Sequence, residues 1–173
     1  VYAETAPHYL ALTEDVFDAP HADAARFLCS PPLRSAPDQD ALIGALGDGL
    51  LTGVASDHCP ISDADRRRIG GEDFSITPNG LGNIEYLRQV LWTTAVESGR
   101  VSPERFVQLT STAPAQTFGL RRKGRIAVGF DGDLAVWDSE AENVAAKATS
   151  HSGLDYCALE GFELRGRTDC TIR

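Results

Sequence analysis

The stretch Leu50-Leu51-Thr52-Gly53-Val54-Ala55-Ser56 runs straight into Asp57-His58-Cys59-Pro60. The first seven residues are nearly all apolar. They predict a short strand buried on both faces, the kind found in a parallel sheet. Its C-terminal end delivers an acid, an imidazole and a thiol. In barrels and open α/β sheets that end is where ligands bind. Asp57 has the chemistry of a metal ligand or a general base, and so does His58. Successive strand residues point to opposite faces, so the two are not expected to share one ion. The plainer alternative has Asp57 capping a turn and His58 packing.

Working outward, the flanks alternate strands and helices. Upstream, Tyr2 to Thr5 predicts a strand end that Pro7-His8 breaks, and Leu10 to Phe17 a short helix or turn. Phe27-Leu28-Cys29-Ser30 predicts a strand stopped by Pro31-Pro32. Ser35 caps a helix whose stripe is Ala41, Leu42, Ala45 and Leu46. Downstream, Asp57 to Gly82 reads as one long loop, of a length that is functional or disordered. Asn83 caps a helix with Ile84, Leu87, Leu91 and Ala95 on its stripe. Ser102-Pro103-Glu104 starts another, with Phe106 and Leu109 facing inward, and Thr112-Ala113-Pro114 a short one that Gly119 ends. This is α/β grammar with parallel strands. Arg121-Arg122-Lys123-Gly124 forms a basic joint, and the residues beyond it read as all-β, with strands at Leu134 to Trp137 and Phe162 to Ile172. Residues 1–120 and 121–173 are therefore expected to be separate units. The first supplies only two or three strands, too few to cover a parallel sheet without neighbours from elsewhere.

Composition narrows the function. The chain has 173 residues with 16 Lys+Arg against 25 Asp+Glu, a net charge of −9. That balance argues against nucleic acid or an anionic membrane as partner. No apolar run approaches the roughly 20 residues of a membrane span. No signal peptide opens the chain. It contains no Met, which hints at a piece of something larger. Cys29, Cys59, Cys157 and Cys170 form no CxxC pair, which excludes a zinc knuckle and predicts reduced thiols in a cytoplasmic protein. Ser30-Pro31-Pro32-Leu33-Arg34 can hold a ligand through main-chain groups, and Pro78-Asn79-Gly80 is a turn. Arg66-Arg67-Arg68 predicts a solvated loop face and Asp131-Gly132-Asp133 a turn. His8, His21 and His151 have no partners at ligand spacing and are expected to be structural or exposed.

Several of these segments occur together in a fixed order. Glu4-Thr5-Ala6-Pro7-His8-Tyr9-Leu10 precedes Cys29-Ser30-Pro31-Pro32-Leu33-Arg34, Ser56-Asp57-His58-Cys59-Pro60, and Asp73-Phe74 through Pro78-Asn79-Gly80. Then come Ser111-Thr112-Ala113-Pro114-Ala115, Lys123-Gly124-Arg125-Ile126-Ala127-Val128-Gly129 and Asp133-Leu134-Ala135-Val136-Trp137-Asp138. The combination resembles the C-terminal part of dihydropyrimidinases and D-hydantoinases, cyclic amidohydrolases of the amidohydrolase superfamily. The resemblance implies the C-terminal part of a TIM-type (β/α)8 barrel over residues 1–120. Part of a small β-sandwich would occupy 121–173. It implies hydrolytic opening of a dihydropyrimidine or hydantoin ring by a hydroxide held between two divalent metal ions, zinc by family habit. Asp57 matches the aspartate that binds one metal and passes the hydroxide proton to the leaving nitrogen. Ser30 and Asn79 match the positions whose main-chain groups hold the substrate amide. The family's His-x-His pair, bridging lysine, two further histidines and substrate-binding tyrosine have no counterparts here. With Asp57 the only metal ligand, the site is incomplete and these residues alone are expected to be inactive. A homo-oligomer, dimer or tetramer, is expected of the full-length protein.

Two other readings stand beside this one. Allantoinase and dihydroorotase are relatives compatible with Pro7-His8-Tyr9-Leu10, although the Ser-Pro-Pro-Leu-Arg and Pro-Asn-Gly segments favour the dihydropyrimidinase side. A non-catalytic dihydropyrimidinase-related interaction protein would keep the fold without the metal ligands, and the retained Asp57 argues against it.

Overall fold

The computed structural model describes residues 1–71 and 73–173. Glu72, inside the predicted 57–82 loop, lies outside them. The chain is α/β. Strand β1 (Glu4–Thr5) leads directly into helix α1 (Pro7–Ala11), with Pro7 in its first turn. A 3-10 turn (Glu14–Asp18), helix α2 (His21–Ala24) and a second 3-10 turn (Ala25–Phe27) carry the chain to Ser30. The strand predicted at Phe27 to Ser30 does not form. The 3-10 turn consumes its start, and the amide of Gly80 bonds the Leu28 carbonyl where a ladder would run.

Helix α3 (Ala36–Gly47) starts as the sequence predicts: the Ser35 amide and hydroxyl both donate to the Asp38 carboxylate, at 3.2 and 2.5 Å. Its buried residues are Ile43 and Leu46, while Ala41 of the predicted stripe faces solvent. Strand β2 (Gly53–Val54) then pairs in parallel with β1, in the register Glu4↔Gly53 and Thr5↔Val54. The strand is thus much shorter than the seven residues predicted, and Leu50 is exposed. Only two residues of β1 are extended alongside to receive its bonds.

The predicted loop after β2 contains helix α4 (Asp63–Gly70). A continuous helical stretch covers 84–96: a 3-10 start, helix α5 (Leu87–Leu91) and a π-turn (Trp92–Val96). Leu91 and Ala95 are buried as predicted, together with Tyr86, Val90 and Trp92, but Ile84 is exposed. Helix α6 (Pro103–Val107) begins at Ser102, whose hydroxyl accepts from the Arg105 amide, and continues through a π-turn into helix α7 (Ala113–Thr117).

Strands β3 (Leu134–Val144) and β4 (Glu163–Ile172) form an antiparallel pair with two register shifts. The basic joint before them is paired: Arg122 meets Asp131, and Lys123 meets Asp131 and Asp133. One apolar cluster joins Leu46, Leu91, Phe106 and Leu109 to Leu159 and Leu164. Within it the rings of Trp92, Phe106 and Trp137 meet edge-on or tilted, with centroids 5.0 to 5.6 Å apart. A second cluster joins Cys29, Leu33 and Leu81 to Leu154 and Tyr156. All four cysteines are free thiols. Among the described residues no helix is long and apolar enough to cross a membrane.

Candidate active site

The site lies where β1 and β2 end. Parallel pairing sends both C-terminal ends the same way, so α1 and the Asp57 turn emerge side by side. Asp57 has φ +45°, the one non-glycine residue in the left-handed region among those described. Asp tolerates this conformation better than most residues, but holding it carries a strain of order 1 kcal/mol. Its side chain is 59% exposed and has no Lys or Arg partner among the described residues.

Behind it sits His8, 1% exposed. The Asn83 side-chain amide lies 2.7 Å from His8 Nδ1 and donates to it, which leaves the ring proton on Nε2. That nitrogen faces Asp57 Oδ2 at 3.8 Å and has no other partner among the described residues. Burial lowers the imidazole's affinity for a second proton, and the nearby Asp57 only partly offsets that. Asn83 thus fixes His8 and does not cap its helix as predicted.

The two other expected site residues are tied to this end by backbone bonds. The Cys59 amide donates to the Leu81 carbonyl at 2.9 Å, and its thiol contacts the Asn79 carbonyl at 3.4 Å. The Gly80 amide donates to the Leu28 carbonyl at 2.8 Å. The Tyr9 hydroxyl, from α1, donates to the Pro31 carbonyl at 2.7 Å. These bonds bring the segments that carry Asp57, Ser30 and Asn79 together, and all three residues are exposed. Burial pushes both the Tyr9 phenol and the Cys29 thiol up, so each stays neutral beside Asp57.

Gly80 is required by its surroundings. Its φ of +115° suits glycine alone, and an added Cβ would stand 2.7 Å from Cys59 Sγ. His58 has a different partner: its Nδ1 accepts from the Ile84 amide at 3.3 Å. It lines a cavity of about 520 Å3.

One expectation fails here. Arg66 is not on a solvated loop face: it is 1% exposed, and its guanidinium donates to the carbonyls of Pro78 and Gly80. His151 is exposed, as expected, and its Nδ1 lies 2.8 Å from Glu85 Oε1. Burial disfavours the charged Glu85, but bonds from Ser150 and His151 hold it below the usual carboxylate range. His8, Asn83 and Arg66 are absent from the sequence-based site. Their main partners lie at a distance along the chain, and no local pattern marks them.

Among the described residues no group of three or more His, Cys, Asp and Glu side chains can hold a metal ion. The chemistry of the donor set fits a metal only in part. Asp57 is an exposed carboxylate free of cationic partners among the described Lys and Arg residues, suitable as one ligand, and a two-metal site needs several more.

Residues 10–173 match the model of the Amidohydrolase family. The chain belongs to the amidohydrolase family. It is 43% identical to a D-phenylhydantoinase of Escherichia coli O81 (strain ED1a) over 167 residues. Those residues are 96% of this chain and 36% of that relative, so the chain spans about a third of its length. The D-hydantoinase of a Bacillus sp. AR9 superposes with a TM-score of 0.93 at 38% identity, covering 99% of this chain and 38% of that one. The dihydropyrimidinase of Brevibacillus agri NCHU1002 gives 0.94 at 37% identity, again over 99% of this chain and 38% of its own. The fold expected from the amidohydrolase likeness is thus found, at the level of an α/β chain with hydantoinases as structural neighbours.

Proposed function

We propose that the protein carrying this chain opens cyclic amide rings, of the hydantoin or dihydropyrimidine type, by hydrolysis. The observation that supports this reading is the set of bonds joining the Asp57, Ser30 and Asn79 segments, in an amidohydrolase whose structural neighbours are hydantoinases and dihydropyrimidinases. Residues 1–120 belong to the C-terminal portion of the barrel and residues 121–173 to a β-sandwich portion. Asp57 is one ligand of a two-metal site, zinc by preference, and the remaining ligands lie outside these residues. Bound divalent cations supply the Lewis acidity that makes water nucleophilic at neutral pH.

The chain's own residues do the rest. Main-chain groups of Ser30 and Asn79 hold the ring amide in place. The Asp57 carboxylate takes a proton from the attacking water and returns it to the ring nitrogen as the C–N bond breaks. His8, buried and held by Asn83, keeps Nε2–H turned toward that carboxylate. The complete protein is a cytoplasmic homo-oligomer with a small-molecule substrate and no nucleic-acid or membrane partner.

The test is incubation of the metal-replete protein that carries these residues with hydantoin and with dihydrouracil. Appearance of the N-carbamoyl amino acid supports the reading. Intact rings under metal-replete conditions, from a folded protein, refute it.

A further inference from the structure

Arg66 is the most deeply buried cation of the described residues and has no carboxylate within ion-pair distance among them. Its partners are neutral. It donates to the carbonyls of Pro78 and Gly80, and more weakly to the Ala25 carbonyl at 3.4 Å and the Tyr156 hydroxyl at 3.5 Å. A buried guanidinium held only by neutral groups is a poor device for stability. Helix α4, which carries it, is anchored without it. The Asp155 carboxylate accepts from the amides of Asp63 and Ala64 at 2.8 and 3.0 Å, and Asp63 binds Arg26 and Arg67.

What the guanidinium does join is the Pro78–Gly80 segment and the turn that leads toward Ser30. Pro78 and Gly80 flank Asn79 on both sides. Ala25 opens the turn that runs to Leu28, and Leu28 accepts from Gly80. The Pro78 carbonyl belongs to the same peptide unit as the Asn79 amide, and in a trans peptide the two point in opposite directions. A charged donor on that carbonyl therefore aims the Asn79 N–H away from α4. It also polarises the unit so that this N–H donates more strongly.

We propose that Arg66 is a positioning residue: it sets the spacing of the Ser30 and Asn79 main chains and with it the affinity for the ring amide of a cyclic amide substrate. This rests on the ring-opening function proposed above. Arg66 does not touch the substrate, so its loss acts on binding more than on bond breaking.

The experiment compares Arg66→Gln and Arg66→Lys with the unaltered, metal-replete protein that carries this chain. Steady-state kinetics on hydantoin, thermal unfolding, metal content and hydrogen exchange of the peptide spanning 77–82 are read together. Arg66→Gln is expected to raise KM about 10-fold or more, the size of one lost charge-assisted bond, with kcat within about threefold. Exchange in 77–82 quickens while α3 is unchanged. Arg66→Lys, which keeps the charge but not the fork, recovers part of the KM loss. Unchanged KM and unchanged exchange in a folded Arg66→Gln protein overturn the proposal. So does a loss confined to kcat in proportion to lost metal or lost folded protein, the mark of a purely structural role. If Arg66→Gln does not fold, Arg66→Lys decides: a KM raised severalfold supports the clamp, and an unaltered KM refutes it. If the unaltered protein opens no ring, the functional reading fails on its own. Exchange in 77–82 then decides whether Arg66 orders that segment.

Discussion

At Asp57, three residues beyond the two-residue strand β2, the backbone turns left-handed and leaves the carboxylate exposed, with buried His8 beside it. Strain at such a point is characteristic of functional sites, where the surroundings over-determine a costly conformation. His8 supplies part of those surroundings, and its titration gives a prediction. Burial lowers its folded-state affinity for a proton below the ordinary value of 6.5. The unfolded chain therefore binds the extra proton more readily. The stabilisation is full above pH about 6.5 and is lost as the pH falls through the lowered folded value. Urea midpoints taken between pH 7.5 and 5 should decline in the unaltered protein and decline less in His8→Gln. Equal slopes would contradict the assignment. At this scale Asp57 is legible in the sequence because it sits at the end of an apolar run. His8 is not, since its partner Asn83 lies 75 residues further on.

Among the elements, the segment around Pro78-Asn79-Gly80 is the most constrained. It is bonded to Leu28 on one side and to Cys59 on the other, and Arg66 closes it from below. Gly80→Ala would place a Cβ against Cys59 at a φ that only glycine adopts freely. It is expected to cost about 1–3 kcal/mol of stability and to weaken ring-amide binding. Denaturant midpoints and KM check this together, and an unaltered midpoint would contradict it. The helix at 36–47 is legible from its Ser35 start, and the stretch at 84–96 from the spacing of Leu91 and Ala95, although Asn83 bonds His8 instead of capping it. Helix α4 is not, because five of its eight residues are charged and it has no apolar stripe to read. Its buried residues are Asp63, Arg66 and Gly70, and the carbonyl partners of Arg66 are invisible to periodicity. The short β1–β2 pair is legible as a strand end but not in length, which depends on what lies alongside.

For the molecule as a whole, the two halves of the chain share one apolar cluster, with Leu164 of β4 1% exposed among residues of α3, α5 and α6. Leu164→Ala should therefore cost about 2–5 kcal/mol and shift helix and sheet signals together. Separate transitions for tryptophan fluorescence and helical circular dichroism would contradict that coupling. Outside the clusters, Phe118, Ile126 and Val128 remain exposed. The proposed ring opening depends on proton transfer by Asp57. The most direct measurement compares kcat/KM for hydantoin between the metal-replete protein that carries this chain and its Asp57→Asn variant, with metal content and melting temperature recorded for both. Asn keeps the left-handed turn but cannot shuttle a proton. Ring opening is expected of the unaltered protein, with a fall of roughly 10³-fold or more in a folded variant. A folded Asp57→Asn protein that still opens the ring within about tenfold of the original rate would contradict it.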